Sequence, residues 1–564
     1  MAGRCGTDQE SVLQCPVFIR NQEEKMQVQN PVLRGFHPDP SLIRVGQEYY
    51  LAVSTFEWFP GVRIYHSRDM ARWEYCCSPL DSLDKADLRG VDSSDGVWAP
   101  CLSYDGNYFY LIYTVTHSAR KYPVMDTPNY LIRARDIHGP WSEPVYLNSS
   151  GFDPSLFHDR NGKKYLVNME WDFRRAKDNN CFAGILLQEY DPASARMVGE
   201  PTNIFSGTKI GLTEGPHLYW HEGYYYLVCA EGGTGWFHAV TVARSRNIEG
   251  PYEVHPENPV LSSWEGSLDD KRRNKELEKY GLGSAGIQKA GHASLMESTD
   301  GTWYMAHLCG RTIPGMKCCP MGRETSLQEL EWKNGWPYLK GGGRLPGVTV
   351  ELLSEEDILF DPTERRVEYN FEDESFLKDF QTLRIPYELT GMTVKERKGY
   401  LRIYGRESVF SRFYQALIAR RQTELCFAAR TRFEFCPHSY QHCAGLIYRY
   451  DEENQLYAHI TYDECEGTVV GLTSVMKGEV RLLYKAPLKM DVFELEIQVN
   501  YEKAKFFYWD QGQKIEMAEV CTMALSDDYA DGFTGCFVGM CVQDLRSQEI
   551  YADFESFVYE AFTK

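Results

Sequence analysis

Residues 45–55 read VGQEYYLAVST: a glycine turn, two tyrosines, then an apolar run of strand-forming residues. Glycine supplies the positive φ that a tight hairpin needs, and aromatic or β-branched residues favour the strand that follows. The pattern returns as DGNYFYLIYT at Gly106, NGKKYLVNME at Gly162, HEGYYYLVCA at Gly223 and DGTWYMAHL at Gly301. Successive turn glycines lie 60, 56, 61 and 78 residues apart. A period of that length marks one supersecondary unit per copy, and four short strands with long connections fill it. HSRDMARWE around Trp73, ARDIHGPWSE around Trp141 and ARSRNIEGPYE around Tyr252 read as the outer strands and turn of the same unit. No long amphipathic helical pattern competes between residues 30 and 345. The spacing predicts a five-bladed β-propeller over residues 28–345.

Beyond it the pattern changes. GGGRLPGVTVELLSEED, residues 341–357, reads as a boundary, and residues 346–366 as a solvated linker. From residue 367 to 564 come short alternating strands such as YLRIYGRESVF, QLYAHITYDE and FELEIQVNY. Their spacing predicts a β-sandwich, so the whole chain is expected to be all-β. Residues 1–27 stand as an N-terminal extension without a functional reading.

At 564 residues the chain is too long for one ordinary domain. Its net charge of -20 argues against a nucleic-acid partner and against an anionic membrane surface. The 14% aromatic content favours strands and also suits flat ligands such as sugar rings. The first twenty residues lack the apolar core of a secretory signal, and no run approaches 18 apolar residues. The seventeen cysteines follow no disulfide framework or zinc spacing, and the expectation is a cytoplasmic protein with free thiols.

The chemistry lies upstream of the five glycines. Seven residues before Gly46 is Asp39, held between prolines in GFHPDPS; eight before Gly106 is Trp98. Nine residues before Gly162, Gly223 and Gly301 come Asp153, Glu214 and His292. In isolation Asp39 reads as an ordinary turn residue. In a propeller, however, these positions begin the inner strands and converge on one axis. Three acids in one pocket raise each other's proton affinity, so that one carboxyl holds a proton while another is ionised. Glycosidic cleavage needs that pair, an acid for the leaving oxygen and a base for water. Asp, Glu and His could also ligate a divalent cation, which is the competing reading.

NPVLRGFHPDPS, STFEWFPGVRIYHS, WAPCLSY, GFDPSLFHD, TEGPHLY, AGHASL and MGRETSLQ together resemble glycoside hydrolase family 43. Within it they are similar to the intracellular, two-domain β-xylosidase branch. The resemblance implies inverting, exo-acting release of D-xylose from the non-reducing ends of β-1,4-xylo-oligosaccharides. An α-L-arabinofuranosidase is the near alternative, as side or main activity, and a non-catalytic sugar-binding propeller the distant one. It further implies Asp39 as general base, Glu214 as general acid and Asp153 as the residue that tunes and orients Glu214. Phe56, Trp98, His292 and Arg323 would line the sugar pocket. The sandwich resembles the jelly-roll, concanavalin-like domain of this branch, and its DGFTGCFVG loop (residues 531–539) would add Phe533 as a wall. No cofactor is implied for catalysis; a structural Ca2+ or a water beside His292 are both compatible. A homo-oligomer, dimer or tetramer, is expected. Trp58 and Phe59 read equally as pocket or core aromatics. The TIPGMKC segment after Arg311 is shorter than is usual for the resembling enzymes.

Overall fold

The computed structural model describes Met1 and residues 25–119, 123–178, 180–268, 273–353 and 358–562. Five antiparallel sheets follow one another along the chain, over residues 41–77, 96–148, 155–205, 214–262 and 288–339. These are blades I to V. The turn glycines all take the left-handed φ that the hairpin requires, from 64° at Gly46 to 93° at Gly106. Second strands are largely buried on both faces because each blade is covered by its two neighbours; Phe109–Thr116 is buried throughout.

Every blade is contiguous in sequence, and the ring closes between blades I and V through a backbone bridge from Leu33 to Thr325 and through side chains. Ser294 accepts from the Leu42 amide (2.9 Å) and donates to the Pro40 carbonyl (2.8 Å). Asn30 bonds both backbone groups of Leu327 on blade V, at 2.8 and 3.0 Å. The same device ties other blades: Ser41 accepts from the Leu102 amide at 3.0 Å, and Ser155 donates to the Pro216 carbonyl at 2.6 Å. Each of these serines lies two residues after a pocket residue, in D-P-S, D-P-S and H-A-S.

The second domain packs two large antiparallel sheets face to face. One runs from Met392–Thr393 through Tyr551–Ala561 to Gln513–Cys521; the other from Glu479–Pro487 through Phe537–Asp544 to Phe380–Leu383. Alternate residues such as Phe433, Leu495, Phe506 and Phe554 fill the space between them.

The stretch read as a linker carries strands. Thr349–Leu353 pairs antiparallel with Lys25–Gln29, and Leu359–Phe360 pairs parallel with it. Met26, Val28, Val350 and Leu352 alternate inward onto blades I and V, which is why this segment orders. Most of the N-terminal extension, residues 2–24, lies outside the described residues. Trp58 and Phe59 line no pocket with the acids; they form an edge strand on the sandwich sheet, pairing with Thr382 and Leu383. Trp58 stacks on Phe537 with centroids 3.7 Å apart, so an aromatic cluster runs across the domain boundary. No described helix is long and apolar enough to cross a membrane, and the described cysteines are free.

Candidate active site

The three acids and His292 sit at local irregularities where their strands begin. Asp39, Asp153 and His292 adopt φ of 56°, 53° and 41°, a conformation that costs a non-glycine residue of order 1 kcal/mol. The ladder register slips at His292, between Gly291 and Ala293, and again between Glu214 and His217. Such bulges turn a side chain out of the regular alternation, here toward the axis. Gly215 also takes a positive φ of 56°, and a Cβ there would lie 3.0 Å from the His292 ring. The glycine of EGPH therefore lets the acid-bearing turn lie flat on the histidine.

One cavity of about 240 Å3 gathers Asp39, Asp153, Glu214, Phe56, Trp98, His292, Arg323 and Phe533. The three carboxyls are only 6, 8 and 5% exposed, so water does little to stabilise their charges. Burial, with the Asp39 charge adding and Arg323 opposing, raises Glu214 to about 8. Burial raises Asp153 well above the usual carboxylate range, reinforced by Glu214 and Asp39. At neutral pH this pair therefore retains a proton. Ser54 donates to Asp39 at 2.6 Å, and the Gly215 amide donates to Asp153 at 3.1 Å, which fixes the backbone beside Glu214. One Glu214 carboxyl oxygen is buried without a hydrogen-bond partner among the described residues. Burial lowers His292, leaving a neutral ring whose Nδ1 is 3.8 Å from Asp39 and 4.0 Å from Asp153.

Arg323 donates to Thr234 at 3.2 Å and lies 4.6 Å from the centre of the Phe533 ring. Phe56, Phe152 and Phe533 surround Trp98 with centroid separations of 6.2, 5.2 and 6.3 Å. Phe533 comes from the sandwich: its amide donates to the Ser94 hydroxyl at 2.8 Å, and the Ser94 carbonyl accepts from the Trp98 indole at 2.9 Å. The loop is seated by glycines on both sides. A Cβ on Gly535 would meet the Met321 carbonyl at 2.3 Å, and one on Gly322 the Thr534 carbonyl at 2.2 Å.

Several lining residues carry no sequence signal. Met125, Trp171, Phe182 and Thr234 lie on loops or later strands of their blades; Phe152 alone was within reach, as the neighbour of Asp153. The described side-chain groups close enough to share an ion are Cys76–Cys77–His138 and Cys319–Asp527–Asp528, and neither includes His292.

A buried, proton-retaining carboxyl pair beneath aromatic walls, on the axis of a propeller, defines a hydrolase of glycosidic bonds. The description "Glycosyl hydrolases family 43" matches residues 28–337, and "Beta xylosidase C-terminal Concanavalin A-like domain" matches residues 368–560. The chain is 44% identical to a beta-xylosidase of Bacillus subtilis (strain 168), covering 95% of this chain and 100% of that protein. It is 42% identical to Xylosidase/arabinosidase 43B of Humicola insolens, over 94% of this chain and 97% of the relative. A crystal structure of xylan beta-1,4-xylosidase from Bacillus halodurans superposes with a TM-score of 0.87 at 43% identity, covering 94% and 100% of the two chains. The chain belongs to glycoside hydrolase family 43, whose enzymes hydrolyse with inversion.

Proposed function

We propose that the chain is an exo-acting β-1,4-xylosidase in which Glu214 protonates the leaving oxygen and Asp39 takes a proton from the attacking water. The observation that carries this reading is the Glu214 carboxyl: raised to about 8 by burial, it holds an unpartnered oxygen in a cavity shared with Asp39. The water attacks the anomeric carbon as the bond to the leaving oxygen breaks. Its proton goes to Asp39, the Glu214 proton goes to the departing sugar, and configuration inverts. Asp153 orients Glu214 through the Gly215 amide, and its coupling to the Glu214 charge keeps a proton on the pair. Trp98, Phe56 and Phe533 offer apolar faces to the ring, and Arg323 offers donors to its hydroxyls.

Exo-cleavage is supported by size. The cavity is smaller than the roughly 300 Å3 at which pockets for drug-sized ligands begin, so it suits one sugar ring rather than a chain passing through. The names of the relatives support xylose, and one of them also supports arabinosidase activity. Proton NMR of xylotriose hydrolysis, beside a nitrophenyl arabinofuranoside, tests the reading. It expects α-xylose first, released from the non-reducing end and faster than arabinose. Initial β-xylose, internal cleavage or arabinose release alone would overturn it.

A further inference from the structure

Behind the turn that carries Asp39 lies a second cavity, of about 490 Å3, at the seam between blade I and the sandwich. Its cations come from both domains: Arg63 from blade I, Arg420 and Arg421 from the sandwich strand Ala416–Arg421, and Lys378 at the exposed rim. Arg63, Arg420 and Arg421 are 1, 4 and 4% exposed. Arg420 pairs with Glu364 at 2.6 Å. Arg63 and Arg421 instead donate to neutral oxygens, Arg63 to the Tyr65 hydroxyl (3.1 Å) and the Lys378 carbonyl, Arg421 to the Phe36 carbonyl (2.6 Å). Each of the three guanidinium groups keeps one buried nitrogen without an acceptor among the described residues. The acids lining the cavity are Glu74, which is exposed, and Asp379, which accepts from the Tyr369 hydroxyl.

Asp379 attracts all three arginines without bonding Arg63 or Arg421; a buried guanidinium with no carboxylate in contact is costly, and two beside one cavity repel each other. Burial, with repulsion by Arg63 and Arg420 and against the attraction of Tyr65 and Asp379, pulls Arg421 down to about 9. His37 is lowered by burial and by the charges of Arg421 and Arg63. Arg63, Arg420, Arg421 and Lys378 outnumber Glu74, Asp379 and Glu364 around this cavity, which leaves its field positive in a protein of net charge -20. Planar guanidinium groups match the oxygens of a phosphoryl or carboxylate group, and the Tyr75 ring, 4.1 Å under Arg63, offers a flat wall beside them.

We propose that this cavity binds a small oxyanion, a phosphoryl or carboxylate group, between Arg63 and Arg421, entering past Lys378. The site is distinct from the xylose cavity and ties blade I to the sandwich at the base of the Asp39 turn.

Thermal unfolding at constant ionic strength tests it, with inorganic phosphate, glucuronate and sodium chloride titrated separately against the full chain. The expected result is a saturable rise in Tm with phosphate or glucuronate and none with chloride; the more effective of the two identifies the preferred oxyanion. Lys378→Glu, a surface change, should weaken the midpoint by at least about fivefold through charge reversal at the rim, with hydrolysis of nitrophenyl xyloside unchanged. The proposal fails if neither anion gives a saturable rise, or if the midpoint is the same in Lys378→Glu. It fails equally if the anion inhibits hydrolysis competitively at the midpoint of its thermal effect, which would locate it on Arg323.

Discussion

The carboxyl floor of the xylose cavity hangs on repeated turns of the propeller, whereas its wall at Phe533 hangs on one loop of the sandwich. The floor is held within the propeller: Ser41, Ser155 and Ser294 pin each turn to the next blade, two residues from the side chain they position. The wall is held between domains, through Ser94, the facing glycines 322 and 535, and a buried ion cluster of Lys289 with Asp527 (2.6 Å) and Asp528 (2.8 Å). The floor should therefore govern chemistry, and the wall substrate retention and stability.

The largest expected effects are on the floor. Glu214→Gln and Asp39→Asn should each cost about 10³-fold in kcat on xylobiose, the range for loss of a general acid or base. They should separate on a nitrophenyl xyloside, whose leaving group departs without a proton: Glu214→Gln recovers much of its rate there and Asp39→Asn does not. Equal losses on both substrates in both variants would contradict the assigned roles.

Lys289→Met should come next, because it leaves Asp527 and Asp528 buried without their cation. A loss of about 3 kcal/mol is expected for breaking such a pair, measured by urea unfolding. A variant as stable as the parent would show that the wall is not anchored there.

Phe533→Ala should lower kcat/KM by about tenfold, mainly through KM, the loss of roughly one buried aromatic contact. Its pH profile should match the parent's, since Phe533 carries no proton; a shifted profile would mean that wall and floor are electrostatically coupled.

The pH dependence sharpens the contrast further. Activity should fall above about pH 8, where Glu214 loses its proton. The folded carboxyl holds its proton more tightly than the ordinary value of 4.5. Its contribution to stability is thus complete below about pH 4.5 and is lost as pH rises through about 8. Tm measured from pH 5 to 8 should decline less steeply in Glu214→Gln than in the parent, and parallel slopes would refute the shift.

Ser94→Ala should have the smallest effect, about 1 kcal/mol for the lost hydrogen bond to the Phe533 amide, seen as a few-fold rise in KM.

Much of the floor is legible in the chain itself. GFHPDPS, GFDPSLFHD, TEGPHLY and AGHASL each stand at a nearly fixed offset from a hairpin glycine, and that offset places Asp39, Asp153, Glu214 and His292 on the axis. The wall has no such signal: Phe533 is reached through the family likeness of DGFTGCFVG, and Ser94 through neither route. Trp58 and Phe59 show the same limit. Two adjacent aromatics near a pocket motif turn out to extend the sandwich sheet, because their partners Thr382 and Leu383 lie more than three hundred residues away.

The sequence alone determined the number of blades, the strand character of both domains and which acids share the channel. Those follow from periods and offsets within about sixty residues, where turn chemistry and side-chain alternation act directly. Only the tertiary structure decided that a sandwich loop seats Phe533 against Arg323, that Thr349–Leu353 and Leu359–Phe360 are strands, and that three arginines from two domains face one cavity. Each depends on packing between segments with no common period, and a chain's local pattern holds no record of which distant surface will bury it.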